Sequence, residues 1–347
     1  MKLKVLMVLA VAALLLAAVG AGSPRTVRIL IYKDPGFQQD WASSGSEGDY
    51  KTILVTNPNS QDLTDFQVKL VFDPSSDSFF DSCQGGSLLG IWTGNGGQQV
   101  PFWVENWSAT QAILWFKAPV LVAGGTTRFR LYCSEEAAGQ HDGSRVFLMF
   151  DDFEDGTWED SFVNLRPPTL GPSVVEGKGP YGYNEKLFKV SGDNYSPVIA
   201  FKSLVSVPES FILELYRRPE RYVCDRIGQY VNSSDQKGFV CKLQGSYWSD
   251  IYYQRAGQNW VTVARSGCEG CCQDWWNWRR LRLYVNGTHC RFELTGKDQV
   301  EGHVPQDLVG SGQLFFGGRT DWGWPHIFYA FIFARKYVQQ DPEVTLQ

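Results

Sequence analysis

The chain has 347 residues, 43% hydrophobic and 20% charged, with 13 Trp and a formal net charge of −5. That length exceeds what one hydrophobic core comfortably holds and points to two domains. An acidic balance without any Lys/Arg run excludes a nucleic-acid binder, which would carry a basic stripe. At the N-terminus, Lys2 and Lys4 precede the apolar run Val5–Val19, and Val19-Gly20-Ala21 supplies small residues ahead of Gly22. This is the layout of a secretory signal peptide over residues 1–21. The run is shorter than the roughly 20 residues of a spanning helix. Cleavage is therefore expected rather than a signal anchor. The mature chain is expected outside the cell or on its surface, without a membrane span.

Beyond the signal the chain reads as all-β. Short runs with two-residue alternation recur between Gly, Pro, Asn and Asp, and no long stretch keeps helical spacing. In the first half, Val27–Tyr32, Tyr50–Thr56, Phe66–Phe72, Ala112–Phe116 and Thr127–Cys133 are predicted strands. Asn57-Pro58-Asn59-Ser60 and Asp73-Pro74-Ser75 are turn chemistry. The glycine-rich segment Gly85–Gln99 is predicted to loop around Leu88–Trp92. Trp103, Glu105 and Trp107 alternate onto one strand face, where the indoles are expected to pack with Trp115. Ser134–Ser144 is a short polar bridge, so two adjoining domains are expected at 22–145 and 146–347. Val146–Gly156 (VFLMFDDFEDG) opens the second as an apolar strand running into acids. Further candidate strands follow from Leu187–Val190 to Ile327–Lys336. Asn286-Gly287 between two of them is a strong hairpin signal, expected as a type I′ turn. Many short strands at close spacing mean sandwiches or barrels.

Export implies disulfides. Cys83 and Cys133 lie in the first half and pair by exclusion if no bridge crosses between halves. Cys224 and Cys241 span one hairpin and are expected to pair. Cys268, Cys271, Cys272 and Cys290 then pair among themselves, in an order the spacing leaves open. Cys268-Glu-Gly-Cys271 also has zinc-ligand spacing, with His289 and Cys290 as further donors, but an exported chain favours disulfides. Sequons at Asn106, Asn194, Asn232 and Asn286 are candidate N-glycosylation sites.

Tyr50–Asp73 (YKTILVTNPNSQDLTDFQVKLVFD), Pro101–Trp107 (PFWVENW), Ala112–Ala118 (AILWFKA) and Arg128–Tyr132 (RFRLY) resemble an exported domain family known only as a domain of unknown function. In archaeal and bacterial surface proteins that family often precedes a concanavalin A-like (laminin-G-like) jelly roll. FDDFEDG at Phe150–Gly156 resembles the start of such a jelly roll, RLYVNG at Arg282–Gly287 its hairpin, and FARKY at Phe333–Tyr337 its last strand. The resemblance implies two β-sandwich domains, the second a concanavalin A-like jelly roll. One departure is visible: Leu131-Tyr132-Cys133-Ser134 replaces the family's usual closing turn of the first domain.

No catalytic motif is evident. There is no Gly-X-Ser-X-Gly elbow, no P-loop, and no Glu-X-Asp-X-Glu run of the kind that glycan-cleaving jelly rolls use. The nearest match is Asp152 and Glu154 on one strand face, with Asp151 and Asp155 on the other; these read as solvated acids of an edge strand. Related jelly rolls hold a calcium ion near the first and last strands. By that resemblance Asp151 and Asp152 are candidate ligands of a structural Ca²⁺. No motif requires another cofactor.

The aromatic clusters remain. Exposed rings stack on the C–H faces of sugars, while polar side chains fix the hydroxyls. Tyr247-Trp248 with Tyr252-Tyr253 form one cluster, in which Tyr252 and nearby Trp260 are expected in the core by alternation. Adjacent Trp275 and Trp276 cannot both enter one core. Trp322 and Trp324 share a face if extended, beside Asp321 and Arg319. The expected ligand contacts are therefore Trp322, Trp324, Asp321, Arg319, Trp275 and Trp276. The expected partner is a glycan or another envelope component, bound without chemistry, as in an adhesive module. Two other readings stand beside this one. A glycoside hydrolase or lyase would show a cleft with two facing carboxylates. A structural subunit of an envelope layer or filament would lend Thr26–Tyr32 to a neighbour's sheet edge.

Overall fold

The computed structural model describes residues 50–347 except 137, 140, 166–170, 192–197, 203–209, 221–222, 233, 235–236, 245–247, 256–257, 268–275, 297, 311 and 321–325. The predicted signal segment and Val27–Tyr32 lie outside the described residues. Strands β1 (Lys51–Thr56), β2 (Leu63–Phe72), β3 (Leu89–Thr93), β4 (Gln99–Val100), β5 (Phe102–Trp107), β6 (Ala112–Leu121) and β7 (Thr126–Cys133) come first. They are followed by β8 (Met149–Asp151), β9 (Phe162–Asn164), β10 (Ser173–Lys178), β11 (Asn184–Ser191), β12 (Val198–Phe201), β13 (Ser210–Pro219), β14 (Val223–Asn232) and β15 (Lys237–Gln244). The last are β16 (Trp248–Gln254), β17 (Val261–Gly267), β18 (Arg279–Asn286), β19 (His289–Leu294), β20 (Asp298–His303), β21 (Gln313–Thr320), β22 (His326–Lys336) and β23 (Glu343–Leu346). The fold is all-β, two sandwiches of which the second is a jelly roll. No helix among the described residues is long and apolar enough to cross a membrane.

The first sandwich stacks the sheet β23-β1-β7-β3-β4 on the sheet β2-β6-β5. Period-two alternation explains its core. Ile53 and Val55, Val68 and Leu70, Leu114 and Phe116, Phe129 and Leu131 all point inward and are fully buried. The predicted loop at Leu88–Trp92 is instead strand β3, paired with β7 and β4, with Leu89 and Ile91 buried. Its alternation is only a few residues long and is bracketed by glycines, which hid it. The expected Cys83–Cys133 bridge is present and ties the 3₁₀ segment Ser78–Gly86 to β7. The last strand, β23, which the sequence boundary assigns to the second domain, pairs with β1 of the first sandwich.

The jelly roll packs the sheet β10-β11-β22-β13-β18-β19-β20 against the sheet β17-β16-β15-β14-β21-β12-β9. β8 shares one edge of β22 with β11. β18 and β19 form the expected hairpin, with Asn286 opposite His289 and Gly287-Thr288 as the loop. Gly287 has φ +55 and Thr288 keeps a negative φ. That fits the II′ class rather than I′, because I′ requires positive φ at both central residues.

β22 shows how the two sandwiches meet. Its sequence, HIFYAFIFARK, is apolar at nearly every position. Such a strand must be buried on both faces. Ile327, Tyr329, Ile332 and Ala334 face the jelly-roll core, while Phe331 and Phe333 face outward onto Trp103 and Trp115 of the first sandwich. Phe147 stacks on Phe333 at 4.2 Å, and Trp103 sits edge-on to Phe150 and Phe331 at 5.0 and 5.1 Å. A β-bulge between Val104 and Asn106 leaves Glu105 as the extra residue of β5. Trp103 and Glu105 therefore face this seam, whereas Trp107 turns into the first sandwich against Phe72. The expected common face of Trp103, Glu105 and Trp107 is corrected by that bulge.

The seam is also charged. Glu105 accepts hydrogen bonds from Trp115 Nε1 at 2.7 Å, from Tyr181 Oη and from Arg280. Arg280 reaches on to Glu214 at 3.3 Å, and Glu214 also accepts from Arg282 at 3.0 Å and Arg335 at 2.8 Å. Arg335 closes the chain with two bonds to Asp341. Burial alone would push the Glu214 carboxyl up, but Arg335, Arg280 and Arg282 outweigh it and hold the group well below the usual carboxylate range.

Candidate functional site

The first sandwich covers one outer face of the jelly roll. The candidate site lies on the other, the outer face of the seven-stranded sheet. Toward its middle, Ala200, Tyr230, Val240 and Phe315 form a small buried apolar cluster, with Tyr230 stacked on Phe315 at 4.2 Å. Beside this cluster, Arg226, Val240, Lys242, Tyr252 and Trp260 line a shallow hollow. The first four sit on β14, β15 and β16 at positions that alternate away from the core. Trp260 stands just ahead of β17 and is 40% exposed.

The hollow is firmly backed. Asp250 is 0% exposed and accepts hydrogen bonds from Tyr252 Oη and from Arg265 Nε at 2.6 Å. Burial, with Asp250 as hydrogen-bond partner, pushes the Tyr252 phenol up to about 12. The ring is thus held in one orientation by a buried carboxylate, which is how a contact surface is preorganised. A bulge between Ile251 and Tyr252 against β17 sets this corner of the sheet. Sequence alternation placed Tyr252 and Trp260 in the core, and the structure corrects this. Tyr252 follows Ile251, which takes the inward position, and Trp260 lies outside the ladder, where alternation does not apply. The turn chemistry of Gly257-Gln258-Asn259 was the signal available for Trp260.

Of the residues predicted to contact ligand, Trp276 is the one whose side chain is described. It is the most exposed of the large hydrophobic residues described, at 61%, with a left-handed backbone at φ +65 and its amide bonded to Pro219 O at 2.9 Å. A bulky residue in that region carries strain of a kind that clusters at functional sites. Its neighbour Trp278 is tied down by a bond from Nε1 to Lys178 O and by Arg218 over its ring. Asp321, Trp322, Trp324 and Trp275 lie outside the described residues, and of Arg319 only the backbone, in β21, is described. The flanks of these stretches meet at one end of the sandwich. Pro219, which holds Trp276, is opposite Ile327 at the start of β22.

The acids of the opening segment do not share a strand face. β8 ends at Asp151 and Phe153 takes φ +61, so Asp151 to Asp155 form a tight turn. Asp151 accepts from the Phe153 amide and Asp152 from that of Glu154. Among the described residues no third His, Cys, Asp or Glu joins them as a metal-ligating group. Burial pushes Asp151 up to about 6, and burial, with Glu154 and Asp152 nearby, pushes Glu185 up to about 7. Acids raised in this way bind protons more tightly folded than unfolded. Their contribution grows as pH falls toward the ordinary carboxylate value and is lost as pH rises through the folded one. Glu185→Gln is therefore expected to raise the melting temperature at pH 8 and to change it little near pH 4. Equal shifts at both pH values in thermal melts would refute this. The facing carboxylates of the seam, Glu105 and Glu214, are both locked by arginine. Glu214, held low, cannot supply the raised-pKa acid that glycoside hydrolysis needs.

The predicted Cys224–Cys241 bridge is not formed. Cys241 is opposite Ile227, three strand positions from Cys224, or roughly 10 Å. A disulfide spans less than about 7 Å between Cα atoms. Cys241 and Cys290 are buried and unbridged, and Cys268, Cys271 and Cys272 lie outside the described residues. Asn106 is 6% exposed and donates its amide to Gln111 O, so it is withdrawn as a glycan acceptor. Asn286 is exposed and accepts from Ser210 Oγ. Asn194 and the side chain of Asn232 are not described.

Residues 86–162 match the family model of a domain of unknown function, DUF2341. The match contains the Pro101–Trp107, Ala112–Ala118 and Arg128–Tyr132 blocks. No curated protein matches the chain. Among solved structures, it is similar to the carbohydrate-binding module CBM66 from Bacillus subtilis, at 10% identity over 51% of this chain and 96% of that one, with a TM-score of 0.36. It is similar to a Bacteroides ovatus GH16 protein of a mixed-linkage glucan locus, at 9% identity over 54% and 99%, with a TM-score of 0.41. It also resembles the binding domain of botulinum neurotoxin serotype C1, at 10% identity over 53% of this chain and only 50% of that one, with a TM-score of 0.35.

Proposed function

We propose that this protein is an exported, non-catalytic binding module that takes a carbohydrate on the outer face of its jelly roll. The observation that carries the reading is the exposed indole of Trp260 beside the pinned ring of Tyr252, over a hollow flanked by Arg226 and Lys242. Two rings form a platform for the apolar face of a sugar, and the two cationic side chains offer donors to its hydroxyl or carboxylate oxygens. The Cys83–Cys133 bridge supports an oxidising compartment, and the layout of residues 1–21 supports export. The exposed Trp276 supports a second contact at the loop end, where Trp275, Asp321, Trp322, Trp324 and Arg319 were expected to act.

The test is retention of the mature chain on neutral and on uronic-acid polysaccharides, with Trp260→Ala and Trp276→Ala beside it. Trp260→Ala is expected to weaken binding about tenfold or more, equivalent to roughly 1.4 kcal/mol. Retention unchanged in Trp260→Ala but lost in Trp276→Ala would move the site to the loop end. No retention on any polysaccharide would end the carbohydrate reading, and release of reducing sugar would replace binding with hydrolysis.

A further inference from the structure

Two thiols lie inside the jelly-roll core. Cys241 on β15 belongs to the seven-stranded sheet and Cys290 on β19 to the facing sheet; both are fully buried in one hydrophobic cluster. Register puts them on one level. Cys241 is opposite Ile251, and Ile251 is opposite Ala264 of β17. Across the core, Cys290 is opposite Gly302 of β20. A Cβ added at Gly302 would lie 3.0 Å from the Ala264 Cβ and 2.9 Å from Val263 Cγ1. The two sheets therefore close on each other at the β17–β20 edge, at the level of the thiols. The absent side chain at Gly302 lets them come nearer than the ~10 Å usual between packed sheets. Burial pushes both thiols up, Cys290 to about 12, and Cys241 is raised further by Cys290 itself. Neither is a reactive or metal-binding thiolate in this state.

We infer that Cys241 and Cys290 are partners in an inter-sheet disulfide of the mature protein. The bond forms by exchange with a disulfide-bearing oxidant of the export pathway. One thiolate attacks the oxidant's disulfide to give a mixed disulfide. The second thiolate then displaces the oxidant as its dithiol, so two electrons pass to the oxidant and the two protons of the cysteine thiols end on its sulfurs. Because burial and raised pKa disable both thiols in the closed core, the exchange precedes closure. The bridge also leaves Cys224, Cys268, Cys271 and Cys272 as an even set that can pair among themselves. None of this depends on the carbohydrate reading.

The experiment compares full-length chain exported through an oxidising compartment with chain made in a reducing cytosol. Both are alkylated under denaturing conditions and mapped as peptides. The expected result is a linked Cys241–Cys290 peptide in the exported sample alone, and no gain of that link when the folded reduced chain is later exposed to oxidised glutathione. Exported protein is expected to melt on the order of 10 °C above the double variant Cys241→Ala/Cys290→Ala made the same way. Alkylation of both residues in exported protein whose Cys83–Cys133 link is intact would overturn the inference. So would a link from either residue to another cysteine. Mapping the unsubstituted chain keeps the test decisive should the double variant fail to fold.

Discussion

Replacing Glu214 with alanine is expected to lower the unfolding free energy by about 3–5 kcal/mol and the melting temperature by on the order of 10 °C. Glu214 is fully enclosed and receives three guanidinium groups, from Arg280, Arg282 and Arg335. Arg280 and Arg335 are nearly as buried as their partner. Removing the carboxylate leaves them charged in a poorly solvated place, and that is where the cost arises. Arg280 also carries the bond to Glu105, so the loss reaches across to the first sandwich. The same group predicts acid sensitivity. Its folded pKa lies below the unfolded value, so its stabilisation is full above that value and is lost as pH falls through the folded one. Chemical denaturation at pH 7 and pH 4 checks both points. The unsubstituted chain should lose stability toward pH 4 by more than Glu214→Ala does. A variant that melts within a degree of the parent would show that the network contributes nothing.

Trp103→Ala is expected to cost a further class of interaction, about 3–5 kcal/mol of packing. The indole is buried against Phe147, Phe150, Phe331 and Phe333, and it also bonds to Asp152. It touches four of the seam's rings, as Phe147 and Phe333 also do, and it comes from the first sandwich. Its loss opens a cavity between the sandwiches rather than within either. The expected signature is therefore qualitative as well as large. Unfolding should split from one transition toward two as the halves decouple, and proteases should reach the bridge around Ser134–Ser144 sooner. Trp103→Phe, which keeps a ring in place, should show a smaller effect. A single unshifted transition in Trp103→Ala would mean that the seam is not what joins the halves.

The all-β class, the paired sandwiches and the first disulfide were legible because they rest on periodicity and exclusion. β22 is an instructive intermediate. Its continuous apolar run announced a strand, but only the presence of Trp103 and Trp115 on the opposing sheet explains why both faces are greasy. What stayed hidden depended on one-residue departures from regularity. The bulge at Glu105 sends Trp107 to the other side, and the left-handed Phe153 turns an apparent strand of acids into a tight turn. Trp260 escaped because alternation says nothing of a residue that stands before its strand begins. Pairing of Cys241 was misread for a related reason. Proximity along a hairpin takes no account of how many rungs separate two positions.

β23 has an implication for how the molecule is made. Glu343–Leu346, beyond the jelly roll in sequence, complete the edge of the sheet that contains the earliest described strand. As the polypeptide emerges from N- to C-terminus, the first sandwich must wait with this edge of β1 uncovered until Glu343–Leu346 have been made. A shortened product ending before Glu343 would present that bare ladder to its neighbours, an invitation to intermolecular pairing. The two sandwiches are accordingly less a string of two beads than a clasp, fastened by a strand that follows the jelly roll.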